Sequence, residues 1–291
     1  MTGAGAAESE RIDLGLPTDP LGDTATLPTT FISSCLAAGR LALFALSAVI
    51  ITLILGPMLL LRLETAGVRV AYFRCISRVL GLTIVARGRP ATARPLLYVA
   101  NHISYLDVVA LGALVRAEFV ARGDLAGWPI FGFLSKLGST IFIDRARQSA
   151  GAARDQIDER LRRDRALIMF PESTSGDGNH LLPFKSALFN VVERDDNHVP
   201  VTVQPVSIAY TRMNGLPIGV GWRPFYAWYG DMTLPPHLWK LLKLGTTTIE
   251  VMFHEPVTVA GFGGRKRLAA HCHRVCADGF ARMLAGRVGD L

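Results

Sequence analysis

At 291 residues, half of them hydrophobic, the chain holds enough apolar material for a full core, which excludes a disordered chain or a disulfide-stapled miniprotein. A formal charge of +7 makes it basic, yet no helix-turn-helix, finger or ribonucleoprotein pattern accompanies that charge, so no nucleic-acid partner is expected. Four scattered cysteines, Cys35, Cys75, Cys272 and Cys276, make no disulfide framework and fit reduced thiols.

Residues 1–39 carry Glu8, Glu10, Asp13, Asp19 and Asp23 against Arg11 alone, with frequent Pro, Gly and Thr, and read as a disordered acidic tail. Residues 41–61 are uncharged, and about 20 such residues span the hydrocarbon core of a bilayer. Segment 40–62 therefore reads as a transmembrane helix, or as a re-entrant one because Gly56-Pro57 interrupts it; the competing reading is a buried core helix. A secretory signal fits less well, since the run starts late and no basic cluster precedes it. Arg62, Arg69, Arg74 and Arg78 follow, and the positive-inside rule then puts the body on the cytoplasmic face of the membrane. Segment 63–90 reads as interfacial. Within it, over 66–85, Val70, Phe73 and Ile76 recur every third residue while Arg74 and Arg78 stand four apart, which predicts a helix at headgroup level.

From 91 to 291 no repeat or linker divides the chain, and one domain is expected. Strand-like runs at 96–100, 140–144, 166–170, 199–210 and 247–254 alternate with helix-like runs at 105–114, 150–163, 184–193, 237–242 and 265–284. That alternation predicts an α/β fold with a largely parallel sheet flanked by helices, behind an N-terminal membrane helix. In His271-Cys272-His273-Arg274-Val275-Cys276 two cysteines stand one helical turn apart. A second ligand pair at matching spacing is missing, so an amphipathic helix is preferred to zinc, and no metal or cofactor is expected.

Asn101-His102-Ile103-Ser104-Tyr105-Leu106-Asp107 directly follows the apolar run 96–100. Helical positions five apart lie roughly 140° apart, so His102 and Asp107 meet only if His102 sits in a turn ahead of the helix. Ser104 suits that as an N-cap, with Asp107 at capping-box spacing. Two readings stay open on these residues: an imidazole base oriented by a carboxylate, or a helix start beside an ordinary loop histidine. In the first, backbone N–H groups after Ser104 are candidates to hold an oxyanion.

Further blocks follow in order: Phe119-Val120-Ala121-Arg122, Trp128-Pro129-Ile130-Phe131-Gly132, Gly138, Phe142-Ile143-Asp144-Arg145, Phe170-Pro171-Glu172-Ser173-Thr174, Leu182-Pro183-Phe184-Lys185, Val199-Pro200-Val201 and Gln204-Pro205-Val206. With His102 to Asp107 they resemble, over about residues 95 to 210, the glycerolipid acyltransferase family, best known from the 1-acylglycerol-3-phosphate acyltransferases. The resemblance implies an O-acyltransferase with His102 as base and Asp107 as its orienting acid, without a cofactor. It also implies acyl-CoA or acyl carrier protein as donor and a lysolipid acceptor, first of all 1-acylglycerol-3-phosphate. Arg122 and Arg145 are then expected to meet anionic groups, Phe170, Pro171, Glu172, Ser173 and Thr174 to form the acceptor block, and Phe142 and Lys185 to line the substrate site.

Departures from the family pattern in two blocks bear on the acceptor. Ser173 stands for the usual glycine and Ser175 for the usual arginine, and Arg122 occupies a frequent lysine position. Loss of an arginine removes a bidentate phosphate clamp. Ser175-Gly176-Asp177-Gly178-Asn179 followed by Leu182-Pro183-Phe184-Lys185, and less distinctively Trp228-Tyr229-Gly230-Asp231-Met232, resemble the branch that acylates lyso-ornithine lipid, which is the alternative. A thioester hydrolase and a non-catalytic membrane scaffold are the rivals from other classes. No G-x-S-x-G elbow, phosphate loop or dinucleotide fingerprint is present.

Overall fold

The computed structural model describes residues 30–122, 140–143, 150–193 and 199–288. Helix α1 (Phe31–Leu60) opens on Thr30, whose Oγ1 accepts the Ser33 N–H at 3.1 Å, the N-cap a threonine can supply. It begins well before the uncharged run because Arg40 does not end it: the guanidinium reaches out to the carbonyls of Leu242, Leu244 and Gly245. Pro57 lies inside the helix, one turn from its end, where it removes a single ladder bond and no break follows. The helix is long and apolar enough to cross a membrane, and of its residues Ala37, Ile51 and Leu55 are buried.

Helix α2 (Ala66–Val79) lies against α1 and against α3 (Leu106–Leu114). It stops short of the predicted 66–85 because Gly81 turns the chain at φ 73°, where an added Cβ would meet the Gly245 carbonyl oxygen at 2.7 Å. The β-branched Thr83, Ile84 and Val85 then form strand β1 (Leu82–Arg87). Arg69, expected at the headgroups, is buried on the body side of α2, whereas Arg62, Arg74 and Arg78 are exposed.

The remaining strands are β2 (Leu96–Ala100), β3 (Glu118–Arg122), β4 (Ile141–Ile143), β5 (Ala166–Met169), β6 (Thr202–Met213), β7 (Leu216–Pro217), β8 (Thr247–Phe253) and β9 (Val257–Thr258). They make a sheet of order β1-β8-β6-β2-β5-β3-β4, with β7 and β9 paired to β6. Pairs β1/β8, β2/β5, β2/β6, β3/β4 and β3/β5 are parallel; β6 runs antiparallel to β7, β8 and β9. The sheet is largely parallel, as expected, with β1, β3 and the two-residue β7 and β9 additional to the predicted strands. Helices α4 (Ala150–Arg162), α5 (Leu234–Leu242) and α6 (Arg265–Leu284) complete the elements, and the predicted helix at 184–193 is a 3-10 helix, Ser186–Val192.

Helices cover both faces of the sheet, so β2 has no polar side. Leu96, Tyr98 and Ala100 pack in one core with Ala110 and Leu111 of α3, while Leu97 and Val99 pack in the other with Leu268 and Cys272 of α6. Cys272 and Cys276 are both buried on the sheet side of α6. The chain leaves β2 at Ala100 and β5 at Met169 at the same, carboxyl, edge of the sheet, where α/β folds collect their sites.

Candidate active site

The turn after β2 is fixed by Asn101, which is buried and clamps β6: its Nδ2 donates to the Ile208 carbonyl at 3.0 Å and its Oδ1 accepts the Ile208 N–H at 2.7 Å. His102 thus emerges in a defined direction. Its Nδ1 lies 2.9 Å from Asp107 Oδ2, with the Asp107 side chain fully buried and the imidazole 22% exposed. The two side chains meet because His102 lies in the turn and Asp107 in the first turn of α3, as the spacing required.

Asp107 also accounts for the helix start, so both readings of the motif hold at once. Its Oδ2 accepts the N–H groups of Ile103 at 2.7 Å and Ser104 at 2.9 Å. The expected hydroxyl cap from Ser104 is not made: Tyr105 is the N-cap residue and Ser104 contributes its backbone. These two N–H groups precede those after Ser104 that the sequence offers to an oxyanion. The other oxygen, Oδ1, accepts the Tyr210 hydroxyl at 2.8 Å. A carboxylate has only acceptor oxygens, and with three other donors already on it Asp107 accepts from His102 Nδ1–H, which leaves Nε2 as the basic nitrogen.

Strand β5 supplies the second wall. The Phe170 ring stacks on the imidazole with centroids 4.1 Å apart and an 18° interplanar angle. Glu172 is 2% exposed, and its Oε1 accepts the His102 N–H at 3.2 Å while Oε2 has no hydrogen-bond partner among the described residues. Burial, reinforced by the nearby Asp107 charge, raises its pKa to about 8 against the opposing backbone hydrogen bonds of His102 and Leu182, which favours the protonated carboxyl at neutral pH. Ser173 adopts φ 68°, the left-handed region that favours the glycine found here in the resembled family. Pro171 is buried and its carbonyl accepts the Lys185 N–H at 2.9 Å; the side chains of Lys185 and Thr174 are exposed.

The following loop closes over the turn. Gly176 N–H donates to the His102 carbonyl at 2.8 Å, Trp228 N–H donates to the Ile103 carbonyl at 3.0 Å, and the Ser175 hydroxyl donates to the Trp228 carbonyl. Asp177 Oδ1 receives the N–H groups of Asn179 at 2.9 Å and His180 at 3.0 Å, which fixes the loop's own turn. Tyr105 stands edge-on to Trp228 and its hydroxyl is 3.1 Å from His237 Nδ1.

Of the expected residues, the structure brings His102, Asp107, Phe170, Pro171, Glu172 and Ser173 together. Arg122 ends β3 and Phe142 is the middle residue of the adjacent parallel β4, with Ala121 opposite Phe142 and Arg122 opposite Ile143. Arg145 and the blocks at 128–132 and 138 lie outside the described residues. Asn101 and Tyr210 were missed. Asn101 adjoins the motif and its polarity at the end of an apolar strand was a usable signal, whereas Tyr210 is 103 residues from Asp107 and carries none.

A family model described as Acyltransferase matches residues 78–209. A lyso-ornithine lipid O-acyltransferase of Brucella abortus is 40% identical over 202 residues, covering 68% of this chain and 76% of that protein. A second, of Rhizobium meliloti, is 33% identical over 258 residues and covers 86% and 87%. A 1-acyl-sn-glycerol-3-phosphate acyltransferase of Neisseria gonorrhoeae is 33% identical over 169 residues, covering 57% and 62%. The crystal structure of the acyltransferase PlsC from Thermotoga maritima shares the fold, with TM-score 0.57 at 21% identity over 76% of this chain and 80% of that one. The resemblance carried by the histidine, arginine and proline blocks is thereby a true kinship: this chain belongs to the acyltransferase family.

Proposed function

We propose that the protein transfers a fatty acyl group from an acyl thioester, on coenzyme A or acyl carrier protein, to the hydroxyl of lyso-ornithine lipid at the cytoplasmic face of a membrane. This reverses the order of acceptors that the sequence suggests. The observation that carries it is the pairing of His102 with Asp107 in a family whose similar relatives include several named for that acceptor. The Ser175 hydroxyl, at the position of the usual arginine, is turned to the Trp228 carbonyl, so that position offers a phosphate no cation.

In this reading Nε2 of neutral His102 accepts the acceptor's hydroxyl proton as the oxygen bonds to the thioester carbon. The carbon–sulfur bond then breaks, and the imidazolium returns the proton to the departing thiolate. Asp107, held by Tyr210 and by two backbone N–H groups, keeps Nδ1 protonated and stabilises the transient cation. Phe170 and the buried Glu172 hold the ring and its backbone, and Ser173, Thr174, Lys185, Phe142, Arg122 and Arg145 are proposed to face the substrates. The exposed apolar surface of α1 supports its lying in the bilayer, where both lipid substrates partition.

Membranes containing the protein, given labelled acyl-CoA or acyl carrier protein with either lysophosphatidic acid or lyso-ornithine lipid, test this. The expected product is labelled ornithine lipid. Labelled phosphatidic acid alone overturns the acceptor assignment, and thioester loss without any lipid product turns the enzyme into a hydrolase.

A further inference from the structure

Away from α1, a second set of large apolar side chains faces solvent. Leu216, Val220 and Trp222 are 72%, 66% and 43% exposed, in the segment that follows β6. Loose backbone does not explain this. Leu216 and Pro217 pair with Met213 and Arg212, the Ile218 N–H donates to the Thr211 carbonyl at 2.9 Å, and the Trp222 N–H donates to the Gly219 carbonyl at 3.0 Å. Ile218 is buried beneath them. The segment is a built edge that holds its apolar side chains outward.

Its two ends are tied to informative places. At the start, the Asn214 N–H donates to the Thr246 carbonyl and Asn214 Oδ1 accepts the Thr246 N–H, each at 2.8 Å. Thr246 directly follows Gly245, whose carbonyl Arg40 of α1 grips at 3.0 Å. At the far end, the Val220 carbonyl accepts Asn179 Nδ2 at 3.1 Å, and Arg223 donates to Asn179 Oδ1 at 3.1 Å. Asn179 belongs to the loop whose Gly176 is bonded to His102. The edge thus runs from the foot of α1 to the loop that closes over the base.

We propose that segment 216–222 is a second lipid-contacting surface, seated in the bilayer interface beside α1, along which the acceptor passes to His102. The proposal rests on the reading above that α1 lies in the bilayer. Chemistry selects lipid as the occupant: from Thr211 to Gly230 there is no acidic residue, and Arg212 and Arg223 flank the apolar side chains. Apolar residues with tryptophan at the depth of the headgroups and arginine at the rim match an anionic membrane surface. A second contact also sets the rotation of the body about α1, which one helix alone leaves free.

The chain's four tryptophans are Trp128, Trp222, Trp228 and Trp239, and α1 contains none, so intrinsic fluorescence reads the body and not the anchor. The full chain in anionic vesicles with brominated acyl chains is expected to be quenched, and Trp222→Phe to remove about half or more of the quenched signal. An unchanged quenched signal in that variant overturns the proposal. For function, Leu216→Ser with Val220→Ser is expected to lower kcat/KM about tenfold on acceptor embedded in vesicles and to leave turnover of a short-chain acceptor dispersed as monomers unaltered. Equal losses on both acceptors, or a loss seen with acyl carrier protein but not with coenzyme A as donor, overturn it, the latter by making the edge a protein-docking surface. Quenching needs no turnover, so its failure is distinct from a failure of the acyl-transfer reading.

Discussion

His102 and His254 both hold short side-chain hydrogen bonds, at 2.9 Å to Asp107 and 2.7 Å to Ser207, but they serve opposite purposes. Ser207 is fully buried and gives its one hydroxyl proton to the Cys276 carbonyl at 2.8 Å, so His254 must donate Nε2–H to it and cannot act as its base. The site is closed from above: a Cβ on Gly279 of α6 would meet the His254 ring at 2.5 Å and Ser207 Oγ at 2.6 Å. Burial lowers the His254 pKa to about 4, and the ring ties β6 and β8 to α6 as a neutral strut. His102 instead stands at the open edge of the sheet with a fixed carboxylate behind it. At that end Glu172 is buried and Ser173 is left-handed, departures of the kind that a functional site tolerates.

The largest effect expected is that His102→Ala lowers kcat by about 10² to 10⁴, the usual worth of general-base proton transfer. His254→Ala is expected to keep turnover per folded molecule within about threefold and to lose roughly 1–3 kcal/mol of stability instead. Turnover and melting measured on both variants check this, and a comparable loss of turnover in His254→Ala erases the distinction. Within the first cluster, Tyr210→Phe removes the donor to Asp107 Oδ1. A hydrogen bond to a charged group is worth about 1.5–3 kcal/mol, so kcat is expected to fall about tenfold or more with acceptor KM little changed. Ser207→Ala, the corresponding cut in the other cluster, should leave kcat alone.

Acid and alkali separate the two ends again. His254 has a folded pKa of about 4 against an ordinary 6.5, so in that window the unfolded chain binds more protons and stability falls as pH drops from 6.5 through 4. Glu172 behaves in the reverse sense: its pKa is about 8 against an ordinary 4.5, the folded chain binds the extra proton, and stability falls as pH rises from 4.5 through 8. At about 1.4 kcal/mol per pKa unit the upper bounds are roughly 3 kcal/mol for His254 and roughly 5 kcal/mol for Glu172. Denaturation across pH 4 to 9 should show the alkaline decline flattened in Glu172→Gln and the acid decline retained. A Glu172→Gln curve parallel to the parent's throughout would show that the carboxyl is charged in the folded protein.

The meeting of His102 with Asp107 was legible because the two stand five residues apart across a helix start, and β2, β5 and α6 were legible because their apolar runs end where polar residues begin. The sequence hid β1, since Thr83, Ile84 and Val85 continue the apolar spacing of α2 and the turning residue is a single glycine. Arg69 reads in sequence as a headgroup contact and Glu172 as part of the acceptor block, and tertiary packing buries both. Tyr210 and Asp107 come together through strand pairing of β2 with β6, which no local pattern encodes.

The smallest effect concerns Ser173, where a non-glycine residue sits at φ 68° one position after the buried acid. A left-handed conformation costs an L residue roughly 1–2 kcal/mol, and glycine gives back part of that gain through its freer unfolded chain. Ser173→Gly should therefore raise stability by less than about 1 kcal/mol, while Ser173→Val, whose branched Cβ resists this region, should lower it by about 1–3 kcal/mol. Melting of the two variants against the parent checks the sign, and a Val variant as stable as the parent would mean that the turn relaxes to another conformation. Since Glu172 holds the His102 N–H from the neighbouring position, such a relaxation would also show in kcat, so the same pair of variants reads how firmly the strained turn supports the base.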